Sequence, residues 1–178
     1  MIRLDVPYFT QLDNQTDYHG SGTRQCNLTS HAMALSYLQP GFKFESIRRQ
    51  YLEPESYLGF FLSLWGDTTD HAAMSQCLLE QFKVASDWVY DLDKKTILTQ
   101  LENKKPVPIG VGWRSSGHIV LAVGYDGKGL LIHDPYGVRR GEEYEVGADG
   151  SFDHYSWSLL DQVFWDLGSE SGWGRIFK

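Results

Sequence analysis

The sequence predicts an α+β fold, with helices in the first part of the chain and an antiparallel sheet in the second. Apolar residues recur at helical spacing between residues 27 and 103, whereas short apolar runs of strand length follow from residue 107. Glycine-containing turns join these runs, so neighbouring strands can pair directly. This order of elements is typical of α+β proteins, and 178 residues suffice for a hydrophobic core. We therefore predict one domain over residues 1–178.

The N-terminal half is predicted to contain a strand followed by helices. Residues 4–10 alternate well enough for a strand, and residues 27–38 have the pattern of a helix that stops at Pro40-Gly41. The next predicted elements are an amphipathic helix over 44–52, a helix over 71–82 with N-cap candidates from Asp67 to Asp70, a strand over 84–90 and a helix over 94–103 capped by Asp93. Residues 53–66 are aromatic-rich without a clear period, and they either cover one side of a cleft or pack as a core loop.

The C-terminal half is predicted to build the sheet. Residues 107–113 form a buried strand, and the next strand begins at His118. A turn at 126–129 then returns the chain, so that the hairpin brings Asp134 back beside His118. The predicted elements after residue 138 are a Gly/Glu/Asp-rich segment, a helix near 157–164 and a C-terminal tail whose last residues are 172–178.

Composition excludes several classes of protein. A net charge of −7 and a pI near 5.3 argue against nucleic acid as the main partner. The two cysteines, Cys26 and Cys77, make a disulfide framework improbable, and Cys77 fits the core face of the 71–82 helix. No signal peptide is recognisable and no apolar run is long enough for a membrane span. We expect a monomer made in the cytoplasm without membrane insertion, which lysis could release or a particle could carry.

Cys26 is the candidate nucleophile. It follows a Gly/Ser/Thr turn and lies where the 27–38 helix is about to begin. Unpaired N–H groups and the positive end of the helix dipole favour a thiolate at that place. His118, at the mouth of an apolar strand, supplies a base, and Asp134 supplies an acceptor for the second imidazole nitrogen. Together the three residues predict a Cys–His–Asp triad.

Four segments of the chain carry a family resemblance: Val6-Pro7-Tyr8-Phe9-Thr10-Gln11, Cys26-Asn27-Leu28-Thr29-Ser30, Gly117-His118 and His133-Asp134-Pro135-Tyr136-Gly137. They resemble the papain-like cysteine peptidases related to the leader-peptide-cleaving (double-glycine) domains of bacteriocin transporters, over about residues 4–38 and 105–138. The resemblance implies a papain-like fold, with the nucleophile helix packed on an antiparallel sheet. It also implies a thioester mechanism that needs no cofactor and no metal.

The resemblance further implies a glutamine that helps to bind the oxyanion, and the sequence offers two. Gln11 is preferred because it ends the predicted 4–10 strand and resembles the glutamine of soluble relatives. It lies fifteen residues before Cys26, farther than in the transporter domains, so residues 13–23 would have to loop outward. Gln25 is the rival, although a residue next to the nucleophile more often turns its side chain away. A second departure is Asn27, where the transporter domains usually have glycine. The backbone N–H of Cys26 is the second expected oxyanion donor.

The remaining histidines and two aromatic residues near the site receive other interpretations. We expect no catalytic or metal-binding role for His19, His31, His71, His133 and His154. Trp113 and Tyr136 fit either a substrate-pocket wall or a core or rim position.

The predicted function is a cysteine hydrolase that cleaves an amide bond, with a peptide as substrate. One form of this hypothesis is a cell-wall lysin, such as a phage encodes, that cleaves peptidoglycan peptides. An acyltransferase that uses the same thioester is an alternative. A peptide-binding module that kept the fold and lost catalysis is another, but such a module would need none of the three triad residues.

Overall fold

The computed structural model describes residues 1–51, 53–113 and 116–178. The helices are α1 (Cys26–Leu38), α2 (Gly41–Arg48), α3 (Pro54–Leu62), α4 (His71–Phe82), α5 (Lys94–Glu102) and α6 (Trp157–Val163). The strands are β1 (Ile2–Arg3), β2 (Ser86–Leu92), β3 (Val107–Trp113), β4 (Ser116–Tyr125), β5 (Gly129–His133), β6 (Gly137–Arg140), β7 (Glu143–Val146), β8 (Asp153–Ser156) and β9 (Gly172–Phe177). Two short 3₁₀ turns, Gln11–Asp13 and Gly22–Arg24, precede α1.

An antiparallel sheet of seven strands carries the helices. Its order is β2-β9-β3-β4-β5-β8, with β1 paired to the far end of β4, and β6 and β7 form a separate hairpin. Helix α1 is buried from Asn27 to Leu35 because it lies between β4 and α3. This arrangement confirms the α+β prediction. Among the described residues, no helix is both long enough and apolar enough to cross a membrane.

Helices α1, α4 and α5 lie close to their predicted positions. For α4 and α5, the capping residues explain the agreement. Asp70 accepts hydrogen bonds from the N–H groups of Ala72 and Ala73 (3.0 and 2.9 Å), and Asp93 accepts one from Thr96 (2.7 Å). These caps satisfy N–H groups that a helix start otherwise leaves unpaired. Two other elements differ from their predicted bounds. Helix α2 starts three residues and ends four residues earlier than the predicted 44–52 helix, and β2 starts and ends two residues later than the predicted 84–90 strand.

The predicted strand over residues 4–10 is wrong. Only Ile2 and Arg3 pair as a strand, and Leu4 adds one hydrogen bond to Val123. Pro7 has no N–H to offer a ladder, and the carbonyl of Val6 is used by the His133 Nε2 at 2.9 Å. Leu4 and Val6, two of the apolar residues in the alternating pattern, are nevertheless buried. The pattern therefore indicated correctly which side chains are buried, but not that this segment pairs with another strand.

Residues 53–66 do not form a loop, because they contain helix α3. Pro54 occupies its first turn, where a missing N–H costs nothing. The helix packs against α1, α2 and α4, so several of its faces are buried and its sequence shows no amphipathic period.

The C-terminal tail forms β9, an interior strand of the sheet between the edge strand β2 and β3. Its Arg175 is fully buried and donates from Nε to His31 Nε2 (2.7 Å) and from its terminal nitrogens to Ser75 Oγ, Ser86 Oγ and the His71 carbonyl. The tail therefore joins α1, α4 and β2, a role that the sequence did not reveal.

Candidate active site

Cys26 is the first residue of α1 and is half-buried at the edge of a cleft. The backbone N–H of Ile119, on β4, donates to its sulfur at 3.4 Å. The N-terminus of α1 and the strand that carries His118 thus meet at this sulfur. The sequence-based prediction placed Cys26 at a helix start, and the structure agrees.

His118 and Asp134 are in direct contact. Strands β4 and β5 pair with Leu121 opposite His133, which returns the next residue, Asp134, toward His118. His118 Nε2 and Asp134 Oδ1 are 2.7 Å apart, and both side chains are buried. Because Nε2 is engaged by the carboxylate, Nδ1 is the nitrogen left for the interaction of the ring with Cys26.

Asp134 accepts three further hydrogen bonds. The backbone N–H of Tyr136 donates to Oδ1 (3.0 Å), while the hydroxyls of Tyr144 and Tyr155 donate to Oδ2 (2.9 and 2.7 Å). Tyr144 comes from the β6–β7 hairpin, and its ring also meets His118 edge-on, with centroids 5.8 Å apart. Neither tyrosine is among the residues that the sequence predicts for the site, because the pattern after residue 138 predicts no strand that would bring them to Asp134.

The electrostatics favour a thiolate–imidazolium pair. Burial raises the pKa of the Cys26 thiol, but hydrogen bonding and charge from His118 and the N–H groups of Ile119 and Asn27 outweigh it, so the net pKa is lowered. Burial lowers the pKa of His118, yet Asp134 and Cys26 overcome this and raise it to about 10. Burial raises the pKa of Asp134, and His118 together with its hydroxyl and N–H donors brings it below the ordinary value.

Gln11 lines the same cleft as Cys26 and His118, and its side chain is buried. Its Nε2 donates to the Gly22 carbonyl at 2.9 Å, which leaves one N–H of that amide for a substrate. A Cβ at Gly22 would lie 2.2 Å from the Gln11 carbonyl oxygen, so only glycine permits this approach. The contact between Gln11 and Gly22 brings together the two ends of the segment between them, so that this segment forms a loop. Such a loop is expected because Gln11 lies fifteen residues before Cys26 in the sequence.

Gln25 faces away from the cleft. It is fully buried, donates from Nε2 to the carbonyls of Thr16 and Gly20 (2.9 and 2.5 Å), and accepts from Asn14 Nδ2 (2.8 Å). These bonds hold the loop between the two glutamines. The structure therefore places Gln11, and not Gln25, in the cleft that Cys26 lines.

The cleft has a volume of about 410 Å³. Its other walls include Thr68, Tyr136 and Trp173. Asn27 reaches across one end, where its Nδ2 donates to the Thr68 carbonyl and ties the start of α1 to the segment before α4. Tyr136 is thus a wall residue, whereas the side chain of Trp113 lies outside the described residues.

The other histidines have structural contacts. His31 Nδ1 contacts the Asn27 carbonyl (2.8 Å), His133 accepts from the Phe152 N–H (3.1 Å), and the buried His19 contacts the Gly59 carbonyl (3.0 Å). Burial, then the Arg175 charge, lowers the pKa of His71 to about 4. The part of the chain that the structure describes contains no cluster of His, Cys, Asp or Glu suited to a metal ion.

Comparisons with known proteins agree with this architecture. The profile of the Peptidase_C39 like family matches residues 3–163. A crystal structure from Bacillus anthracis, described as that of a candidate C39-like peptidase, aligns with a TM-score of 0.59 and 14% identity over 100% of this chain and 98% of that chain. At that identity, the likeness shows the fold alone. No curated protein matches significantly. Because the profile covers most of the sequence, this chain belongs to the C39-like peptidase family.

Proposed function

We propose that this chain is a cysteine peptidase in which Cys26, His118 and Asp134 form the catalytic triad and Gln11 helps to bind the oxyanion. The observation that carries the proposal is the continuous contact from Asp134 through His118 to the sulfur at the start of α1. A buried carboxylate that fixes the imidazole, and an imidazole that keeps a thiol ionised, are what nucleophilic catalysis by cysteine requires.

The proposed reaction starts with attack of the Cys26 thiolate on the carbonyl carbon of the substrate. The oxyanion that forms accepts hydrogen bonds from the backbone N–H of Cys26 and from the free N–H of Gln11 Nε2. His118 Nδ1–H gives its proton to the departing amine as the C–N bond breaks, which leaves a thioester on Cys26. Neutral His118 then takes a proton from water, the resulting hydroxide attacks the thioester, and the acid product leaves with the thiolate and imidazolium restored.

One finer version of the proposal, a lysin, and two alternatives to it, an acyltransferase and a binding module, differ in the substrate that is bound or in the fate of the acyl group. A lysin would accept peptidoglycan peptides, an acyltransferase would pass the acyl group to an amine instead of water, and a binding module would form no thioester. The lowered pKa of Cys26 favours catalysis over binding alone, because a binding surface has no use for a thiolate.

The test is to incubate the protein with a mixture of peptides and, separately, with purified peptidoglycan, and to measure released amines and the intact mass of the protein. We expect new amino termini from peptides and, on acid quenching, an acyl adduct that maps to Cys26. Release from peptidoglycan alone would specify a lysin, and products that keep the acyl group on an added amine would specify an acyltransferase. A reactive thiol with no adduct and no product from any of these substrates would refute the proposal.

A further inference from the structure

Trp173 forms an apolar floor beside the proposed nucleophile. It lies on β9 and lines the same cleft as Cys26, Gly117 and His118. Its indole packs against two positions without side chains: a Cβ at Gly110 would lie 2.1 Å from its Cζ3, and one at Gly117 would lie 3.1 Å from its Cη2. Since Gly117 immediately precedes His118, these two glycines bring the ring next to the proposed base.

Two more rings continue the apolar surface that Trp173 forms. His71, the first residue of α4, stacks on Trp88 of β2, with centroids 3.6 Å apart and planes inclined by 4°. The Trp173 centroid is 5.8 Å from that of Trp88 and 6.5 Å from that of His71. We call Trp173, His71 and Trp88 the aromatic wall. His71 borders both the cleft and an open groove of about 720 Å³ between α4 and β2, so the wall leads from one to the other.

The aromatic wall is held in place and is uncharged near neutral pH. Arg175 donates to the backbone carbonyl of His71 at 3.0 Å, which anchors the start of α4 over the sheet. Burial, together with the charge of the same arginine, lowers the pKa of His71 to about 4 and so keeps its imidazole neutral at pH 7. Neutral rings offer an apolar side chain a large contact area and offer a charged side chain no ion partner.

We propose that the aromatic wall is a specificity subsite for apolar side chains of the substrate peptide. Alternate side chains on one face of an extended peptide lie about 6.6–6.8 Å apart. The 6.5 Å between Trp173 and His71 matches that spacing. One apolar side chain rests on Trp173, and the side chain two residues away rests on His71. This inference depends on the proposed peptidase function and names its substrate class, peptides with apolar residues at two alternating positions on one side of the cleaved bond.

The experiment is a library of quenched fluorescent peptides in which each position around the cleaved bond carries Phe, Leu, Ser, Glu or Lys. For the wild-type protein we expect kcat/KM to be about 10- to 100-fold higher with apolar than with charged residues at the two alternating positions. Trp173→Ala should reduce this preference at one position, and His71→Ala should reduce it at the position two residues away. Trp173→Phe should keep part of it. Trp157→Phe is the matched control, because that ring lies outside the cleft, under Lys94.

Two supporting measurements separate the possible outcomes. Iodoacetamide labelling of Cys26 shows whether each variant still assembles its catalytic thiol. If Trp173→Ala does not fold, His71→Ala carries the test, because Arg175 contacts the His71 backbone and not its side chain. Equal rates with apolar and charged peptides, or an unchanged preference in folded variants, would overturn the subsite and leave the peptidase proposal standing.

Failure to cleave any peptide, together with no release from peptidoglycan, would instead overturn the peptidase proposal, and binding would then decide the subsite. The Cys26→Ala variant is titrated with the same peptides while tryptophan fluorescence is recorded. Tighter binding of apolar than of charged peptides, weakened by His71→Ala, supports the aromatic wall as a subsite. Equal affinities for both kinds of peptide contradict it.

Discussion

Cys26 and Cys77 have the same side chain, but the fold shifts the pKa of their thiols in opposite directions. Cys77 lies inside α4, has no exposed surface, and burial raises the pKa of its thiol to about 12. Cys26 also experiences burial, but it lies at the start of α1, where His118 and two backbone N–H groups lower the pKa of its thiol. The comparison shows that the donors and the charged group around a thiol, and not its depth alone, decide whether its pKa is raised or lowered.

The largest expected difference between the two thiols is in activity. Cys26→Ala should lower the peptidase rate by at least about 10³-fold, since one sulfur forms the covalent bond. Cys77→Ala should leave the rate unchanged and lower the free energy of unfolding by about 1–2 kcal/mol, because it empties a small volume of core. Peptide hydrolysis and urea unfolding measure the two effects. A Cys26→Ala variant that keeps more than about a tenth of the wild-type rate would end the proposal for this thiol.

The next effect concerns the donors around Cys26. Gln11→Ala should lower kcat by about 10²–10³-fold and change KM little, because its N–H matters only as negative charge develops on the oxygen. Steady-state kinetics with one cleavable peptide measures both constants.

Gln25→Ala is the control for Gln11. Sequence reasoning alone expected it to be nearly silent, but its three buried hydrogen bonds now predict a lower Tm. If the Gln25 variant lost kcat without loss of stability while the Gln11 variant stayed normal, the two roles would have to be exchanged.

Alkylation compares the thiols directly. At pH 6, iodoacetamide should label Cys26 at least about 100-fold faster than Cys77, because labelling requires the thiolate and Cys77 stays protonated there. The rate at Cys26 should fall as the pH drops below the lowered pKa of its thiol. Mass spectrometry of the two peptides measures both rates. His118→Ala removes the largest of the effects that lower the pKa of Cys26, so it should slow the labelling of Cys26 at pH 6 markedly, while the rate at Cys77 stays unchanged. Equal, slow labelling of both thiols in the wild-type protein contradicts the assignment.

The sequence was sufficient for the parts of the site that depend on local structure. A turn followed by an apolar helix places Cys26, and a tight turn between two strands returns Asp134 to His118. Asp70 and Asp93 marked two helix starts for the same reason, since their side chains bond N–H groups two or three residues away.

The remainder depends on pairing between distant segments, which no local pattern encodes. Arg175 contacts His31 across 144 positions, and its place in the core results from β9 entering the sheet between two earlier strands. The sequence did not predict helix α3, because its neighbours bury it on several sides and its sequence therefore has no amphipathic period. The two tyrosines on Asp134 depend on β7 and β8, which lie in a stretch dominated by charged residues and glycine.

The smallest expected effect tests one of those tyrosines. Tyr144→Phe removes one donor to Asp134 Oδ2 but keeps the ring beside His118 and leaves the Tyr155 hydroxyl in place. With one donor fewer, the carboxylate is less stabilised, so its pKa rises and it becomes protonated at a less acidic pH. We expect kcat/KM to fall by about 3- to 10-fold near neutral pH, and the acid limb of its pH profile to move to higher pH. Tyr125→Phe, which removes a remote hydroxyl bonded to Glu102, is the control. An equal fall at every pH with an unmoved acid limb would show that Tyr144 only supports the hairpin, and that Asp134 is held at its low pKa by His118, Tyr155 and the Tyr136 N–H.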